Sequence, residues 1–162
     1  MTAGRYANVI RNLRLLLLAA AEPGARLEYL EEVYFGENDP ETEATRPYVW
    51  VHLAQDSVAE RWSAARNQKD SELRMIVEVN LDVEDPKEPY GIAGTDPKLG
   101  ALTMLEDVAN AIDEAGLGNG SDGKPAAIDY NISMQTIRNI EGSTWKGELL
   151  VVARLRFLAG DR

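Results

Sequence analysis

Apolar and polar residues alternate almost strictly from Glu72 to Val83, and this is the clearest pattern in the chain. Alternation with a period of two gives a strand one buried and one solvated face, as in antiparallel sheets. The apolar positions are Leu73, Met75, Val77, Val79, Leu81 and Val83. The pattern therefore predicts a long, half-buried strand.

Further strands are predicted on either side of this one. Tyr48–Ala54 places Val49, Val51 and Leu53 on one face. The segment Gln55–Ser71 favours the extended arm of a long hairpin over a short helix, and Tyr29–Phe35 is interpreted as a short strand or turn. Ala127–Ile140 and Trp145–Leu158 predict a second hairpin that turns at Glu141–Thr144.

Two segments have the spacing of amphipathic helices. These are Tyr6–Ala21, which ends before Pro23-Gly24, and Leu99–Ala115. The element order is helix, strand, strand, helix, strand, strand. It predicts an α+β fold in which an antiparallel sheet of four or more strands packs against two amphipathic helices. A length of 162 residues favours one domain, residues 1–162.

Composition excludes several kinds of chemistry. The chain has no cysteine and one histidine, His52. Disulfides, thiolate nucleophiles and cysteine-rich zinc sites are therefore excluded, and little remains for a Ser-His-Asp system. No segment reaches the about 18 apolar residues of a membrane span. We expect a soluble intracellular protein that is not an enzyme and holds no cofactor or metal.

The chain is strongly acidic, with a net charge of −10. Nucleic acid is a dense array of phosphate charges, so tight binding to it by the whole surface is disfavoured.

Aromatic and basic residues indicate a contact surface. Trp50 and His52 share the strand face opposite Val49 and Val51. On this face Trp50 could either contact a partner or pack within the core. Arg154 and Arg156 on the last strand are expected to pair with Glu78 or Asp82 across the sheet. The predicted oligomer or partner interface comprises Trp50, His52, Trp62, Tyr90, Arg154 and Arg156.

The order of elements resembles the tail terminator (tail-completion, head–tail joining) proteins of long-tailed bacteriophages. The matching parts are the leading helix, the acidic loop that ends in Arg46-Pro47-Tyr48-Val49-Trp50-Val51, the strand Arg74–Val79, the helix Leu99–Ala115 and the closing strand Gly147–Arg154. The long Glu84–Lys98 segment departs from the family.

The resemblance implies a structural virion protein of the tail and neck, assembled in the host cytoplasm. It implies a homo-hexameric ring that caps the tail tube, stops tube polymerisation and offers a docking surface to the head. The implied partners are other copies of the chain, the tail tube protein, a neck or head-completion protein and a sheath. DNA would pass through the lumen without specific binding, and the family has no catalytic residues to transfer.

Three other functions stay open. The first is another head–tail connector or minor tail component. The second is a small-molecule-binding α+β regulatory module, which predicts a pocket near Gly116–Gly123 and a dimer. The third is an enzyme that uses a divalent metal held by Asp82, Glu84 and Asp85.

Overall fold

The computed structural model describes residues 5–40, 45–63, 68–82, 100–117 and 129–158, and the structural statements below concern these residues. They form two helices and five strands. The helices are α1, Arg5–Ala20, and α2, Ala101–Ala115. The strands are β1, Glu32–Phe35; β2, Tyr48–Ser63; β3, Gln68–Asp82; β4, Asp129–Glu141; and β5, Thr144–Leu158.

The strands form one mixed sheet in the order β1-β2-β3-β5-β4. The β2–β3, β3–β5 and β5–β4 ladders are antiparallel, as expected, whereas β1 pairs with β2 in parallel over Tyr48–Val51. The α+β class is therefore confirmed, but the sheet is not purely antiparallel. The long Gly36–Pro47 connection carries the chain back to the end of the sheet where β1 began, and this makes β2 parallel to β1.

Both predicted hairpins are present. The ambiguous Gln55–Ser71 region is extended where described, because β2 runs to Ser63 and β3 begins at Gln68. β4 and β5 are joined by a two-residue turn at Gly142 and Ser143. Gly142 has a φ of 55°, in the left-handed region that glycine adopts without steric cost.

Each hairpin contains an irregularity. Leu53 pairs with Met75 and Val58 pairs with Leu73, so residues 54–57 of β2 lie opposite Arg74 alone. In β4 the register shifts after Met134 and again after Asn139. Such bulges bend a strand and increase its local twist.

The alternation predicted for β3 is confirmed, since Leu73, Met75, Val77, Val79 and Leu81 are at most 2% exposed. They belong to one buried cluster that also contains side chains of both helices and of β2 and β5. Helix α2 comes especially close to β5 at Gly147. A Cβ atom built there would lie 2.7 Å from Leu105 Cδ1.

Candidate interaction surface

Alternation along the strands creates a second sheet face, opposite the buried cluster. We call it the second face. It includes Tyr48, Trp50 and His52 on β2; Asp70, Glu72, Arg74, Ile76, Glu78 and Asn80 on β3; and Lys146, Glu148, Leu150, Val152, Arg154 and Arg156 on β5. Directly opposed residues follow from the register: Trp50 pairs with Glu78 and Glu78 with Glu148.

The β2 end of the second face is aromatic and mostly buried. Trp50 is 8% exposed, stacks on the His52 ring with centroids 4.0 Å apart, and donates its Nε1–H to the carbonyl of Gly36 at 2.8 Å. Tyr48 is fully buried and meets the Tyr34 ring edge-on at 5.5 Å. The sequence left two interpretations of Trp50, partner contact and packing within the chain. In the structure Trp50 packs within the chain.

His52 lies beside an apolar cavity of about 290 Å³. Its Nδ1 is 3.3 Å from the Leu53 carbonyl, and its buried Nε2 has no hydrogen-bond partner among the described residues. The cavity lies where β1 ends, and its lining comprises Ile10, Phe35, Gly36, Glu37, Val51, His52, Leu53 and Met75.

A buried ion pair occupies the middle of the second face. Lys146 Nζ lies 3.4 Å from Glu78 Oε1, and Asn80 Nδ2 donates to Glu78 Oε2 at 3.1 Å. Burial raises the pKa of Glu78, while the bonds from Asn80 and Lys146 lower it and Asp39 raises it further. Burial prevails, so the fold disfavours the charged form of Glu78.

The two arginines of the predicted interface make cross-strand ion pairs, as expected, but their partners are not the expected ones. Arg154 Nε lies 2.7 Å from Asp129 Oδ1 on β4, and Arg156 Nε lies 2.9 Å from Asp70 Oδ1 on β3. The expectation of Glu78 or Asp82 was wrong because the strand register was unknown. The register puts Asp129 and Asp70 directly opposite the two arginines. All four side chains are about half exposed, and such pairs contribute roughly 0–1 kcal/mol each.

The two sides of the sheet are open in the part of the chain that the structure describes. β4, a strand of 13 residues, pairs with β5 alone. β2 pairs with β1 only up to Val51, so β3 is the only described strand that pairs with its stretch from His52 to Ser63. Val58 on β2 and Met134 on β4 are 48% and 46% exposed.

Sequence reasoning missed these edges. The sequence of β4 does indicate an edge strand, because its polar residues fall on both faces over Asn131–Asn139. Of the remaining predicted interface residues, Trp62 is opposite Lys69 in the β2–β3 register, but its side chain is outside the described part. Tyr90 and the loop predicted at Glu84–Lys98 lie outside the described residues.

Of the three carboxylates that could hold a divalent metal, only Asp82 lies within the described residues. Asp82 accepts a hydrogen bond from Thr144 Oγ1 at 2.8 Å, and Glu84 and Asp85 lie outside the described residues. Within the described ranges, no group of three or more His, Asp or Glu side chains is placed to hold a metal ion. Neither described helix has the length and apolar character needed to cross a membrane.

The chain was also compared with known proteins. It matches no model of a known protein family, and no curated protein shows significant similarity to it.

Proposed function

We propose that the protein is a structural subunit of a phage tail, of the terminator type. In this role copies associate head to tail into a hexameric ring that caps the tail tube, stops its polymerisation and receives the neck of the head. A contact of this kind uses two different surfaces of each subunit, and it closes into a ring when the rotation between neighbours allows it.

The observation that carries the proposal is the pair of open sheet edges within the described residues. Native proteins usually shorten, cover or charge the edges of their sheets, because unpaired backbone N–H and C=O groups recruit other strands. Here a 13-residue strand forms one edge and much of a 16-residue strand forms the other. Two long and different edges on one subunit suit repeated self-association better than a single binding event.

The helices complete the subunit in this proposal. Their apolar stripes cover one face of the sheet, with Leu13 and Leu17 of α1 and Met104 and Leu105 of α2 fully buried in the common cluster. The two edges and the exposed part of the second face, around Arg154 and Arg156, are then available for contacts. This division assigns stability to one side of the sheet and assembly to the remaining surfaces.

The charge of the chain suits a ring through which DNA passes. At a net charge of −10, an acidic lumen would repel the phosphates of the DNA, so the DNA would slide without sticking. The proposed partners are the tail tube protein below the ring and a neck protein above it, with a sheath as a further partner.

Removing the protein tests this function. In the phage that encodes the chain, a stop codon early in the gene should give overlong tail tubes that lack heads in negative-stain images of the lysate. Supplying the wild-type chain in trans should restore tails of uniform length joined to heads. Normal, head-joined tails without the protein would overturn the proposal.

The apolar cavity beside His52 favours a second candidate, a small-molecule-binding module. The cavity is lined by α1, β2, β3 and the end of β1, and not by Gly116 or Leu117, so it is not the pocket expected near Gly116–Gly123. Residues 118–128 lie outside the described ranges. Ligand-observed NMR with a library of small apolar fragments tests this candidate: binding by wild type that Leu53→Trp abolishes would support it, and no binding would count against it.

A further inference from the structure

We propose that the joint between neighbouring copies is a β-sheet joint, in which β4 of one copy pairs with the open edge of β2 in the next. The sheet would then continue from subunit to subunit. This inference rests on the proposed ring and specifies how its subunits meet.

Strand direction is compatible with such a joint. β3 runs antiparallel to both β2 and β5, and β4 runs antiparallel to β5. β4 therefore runs opposite to β2. When a second copy extends the sheet with the same face turned the same way, its β4 meets β2 in antiparallel orientation. Antiparallel pairing is also what three of the four ladders within the subunit use.

The exposed apolar side chains lie on matching faces. Val58 is directly opposite Leu73, and Met134 is directly opposite Leu149; both leucines belong to the buried cluster. Directly opposed residues in an antiparallel pair project from the same face. Val58 and Met134 therefore share a face of the sheet, and pairing the two edges can bring them into contact and remove both from water.

The positions of the bulges in β2 and β4 indicate which residues would pair in the joint. β2 is regular from Val58 to Ser63, immediately after its bulge, and β4 is regular from Asp129 to Met134, immediately before its register shift. In an antiparallel pair with Met134 opposite Val58, these two six-residue segments coincide over their whole length. Both bulges then fall at the same end of the joint, where the added ladder stops.

A two-fold pairing of β4 with β4 is the competing arrangement. It would bury Met134 near its own copy but would leave Val58 and the β2 edge unpaired. The head-to-tail joint uses both edges that are open in the described structure, and it alone propagates to a ring. The partner that we propose for β4 is thus the β2 edge of a second copy of this chain.

Introduced cysteines test the joint cleanly because the chain has none of its own. Val58→Cys and Met134→Cys are made as separate single variants, and circular dichroism checks that each is folded. Directly opposed residues of an antiparallel pair have Cα atoms about 4.5–5.5 Å apart, within the range that a disulfide spans. Oxidation of a mixture of the two variants should give a covalent dimer that contains one chain of each.

A matched control uses the opposite face of the same strand. Ser133→Cys is one residue away on β4 but projects from the other face, so a mixture with Val58→Cys should give little covalent dimer. The double variant Val58→Cys/Met134→Cys should give a ladder of linked species that ends at six chains on a non-reducing gel.

The outcomes separate the joint from the ring. Covalent dimers between Val58→Cys and Met134→Cys, with none in the Ser133→Cys control, establish the joint. Dimers of Met134→Cys with itself, or no mixed dimer at all, overturn the joint, although a hexamer of the wild type would still support the ring. Linked chains that form open filaments in images instead of closed rings support the joint and contradict the proposed function.

Discussion

Glu78 is a buried carboxylate whose pKa the fold raises. Its folded pKa lies above 4.5, the value of a free glutamate side chain, chiefly because it is buried. Below that value the folded and unfolded chains both hold the proton, so the group has no effect on stability. As pH rises, the unfolded chain releases the proton first, and the free energy of unfolding falls until the folded pKa is passed.

Glu78→Gln should remove this fall in the free energy of unfolding with rising pH. The amide has no charge to bury, and its single oxygen keeps one of the two contacts, because Asn80 donates to Oε2 and Lys146 lies beside Oε1. The loss of the other contact is a cost that does not depend on pH. We expect the free energy of unfolding of the variant, relative to wild type, to increase as the pH is raised from about 4 to about 7. Urea titrations at several pH values measure it.

The control for this prediction is Glu148→Gln, a carboxylate directly opposite Glu78 on β5 that is only partly buried. Its stability relative to wild type should change less over the same pH range. A Glu78→Gln variant that loses stability relative to wild type as pH rises would show that the ion pair with Lys146 outweighs the cost of burial.

The absence of a side chain at Gly147 allows α2 to lie close to the sheet. A Cβ atom there would lie 2.7 Å from Leu105 Cδ1 and 2.9 Å from its Cγ, and Leu105 is fully buried. Gly147→Ala should therefore destabilise the protein by about 1–3 kcal/mol through overpacking. Denaturant unfolding measures the change.

A double-mutant cycle shows whether this contact is the cause. Leu105→Ala alone leaves a cavity and should cost about 2–5 kcal/mol. It also makes room for the added methyl group, so the double variant Gly147→Ala/Leu105→Ala should cost less than the sum of the two single changes. Additive costs would contradict the close approach as the source of the Gly147 effect.

At the scale of elements, the β4–β5 hairpin depends on its turn. Gly142 has a positive φ of 55°, which a residue with a Cβ atom adopts at a cost of roughly 1–2 kcal/mol. Gly142→Ala should lower the free energy of unfolding by about that amount. Gly142→Asn should cost less, because asparagine tolerates the left-handed region better than alanine. Equal losses for the two variants would exclude backbone conformation as the cause.

The sequence predicted most of the elements because their patterns are local. The alternation over Leu73–Leu81 and the spacing in α1 and α2 each arise within one segment, so β3 and the two helices were located to within a few residues. The same holds for the β4–β5 turn, where a short segment that contains a glycine separates two extended segments.

Long-range features were not predictable in the same way. The parallel pairing of β1 depends on where a long connection returns the chain, which no local pattern encodes. The partners of Arg154 and Arg156 depend on the β3–β5 and β4–β5 registers, and the bulge opposite Arg74 shifts the β2–β3 register. Trp50 was ambiguous because a buried aromatic on the second face looks the same in sequence as an exposed one.

At the scale of the whole molecule, one subunit presents two different open edges within its described part and has a strongly acidic composition. The proposed function joins these features in a ring whose lumen repels DNA. If the edges formed a two-fold contact instead, the product would be a closed dimer, since an isologous contact uses the same surface on both partners.

The mass of the purified protein in solution, measured by light scattering with negative-stain images of the same sample, tests the ring most directly. We predict a species of about 107 kDa, six times the 17.9 kDa of one chain, that appears as a closed ring in the images. A stable dimer that does not grow with protein concentration would contradict the ring and favour the small-molecule-binding module.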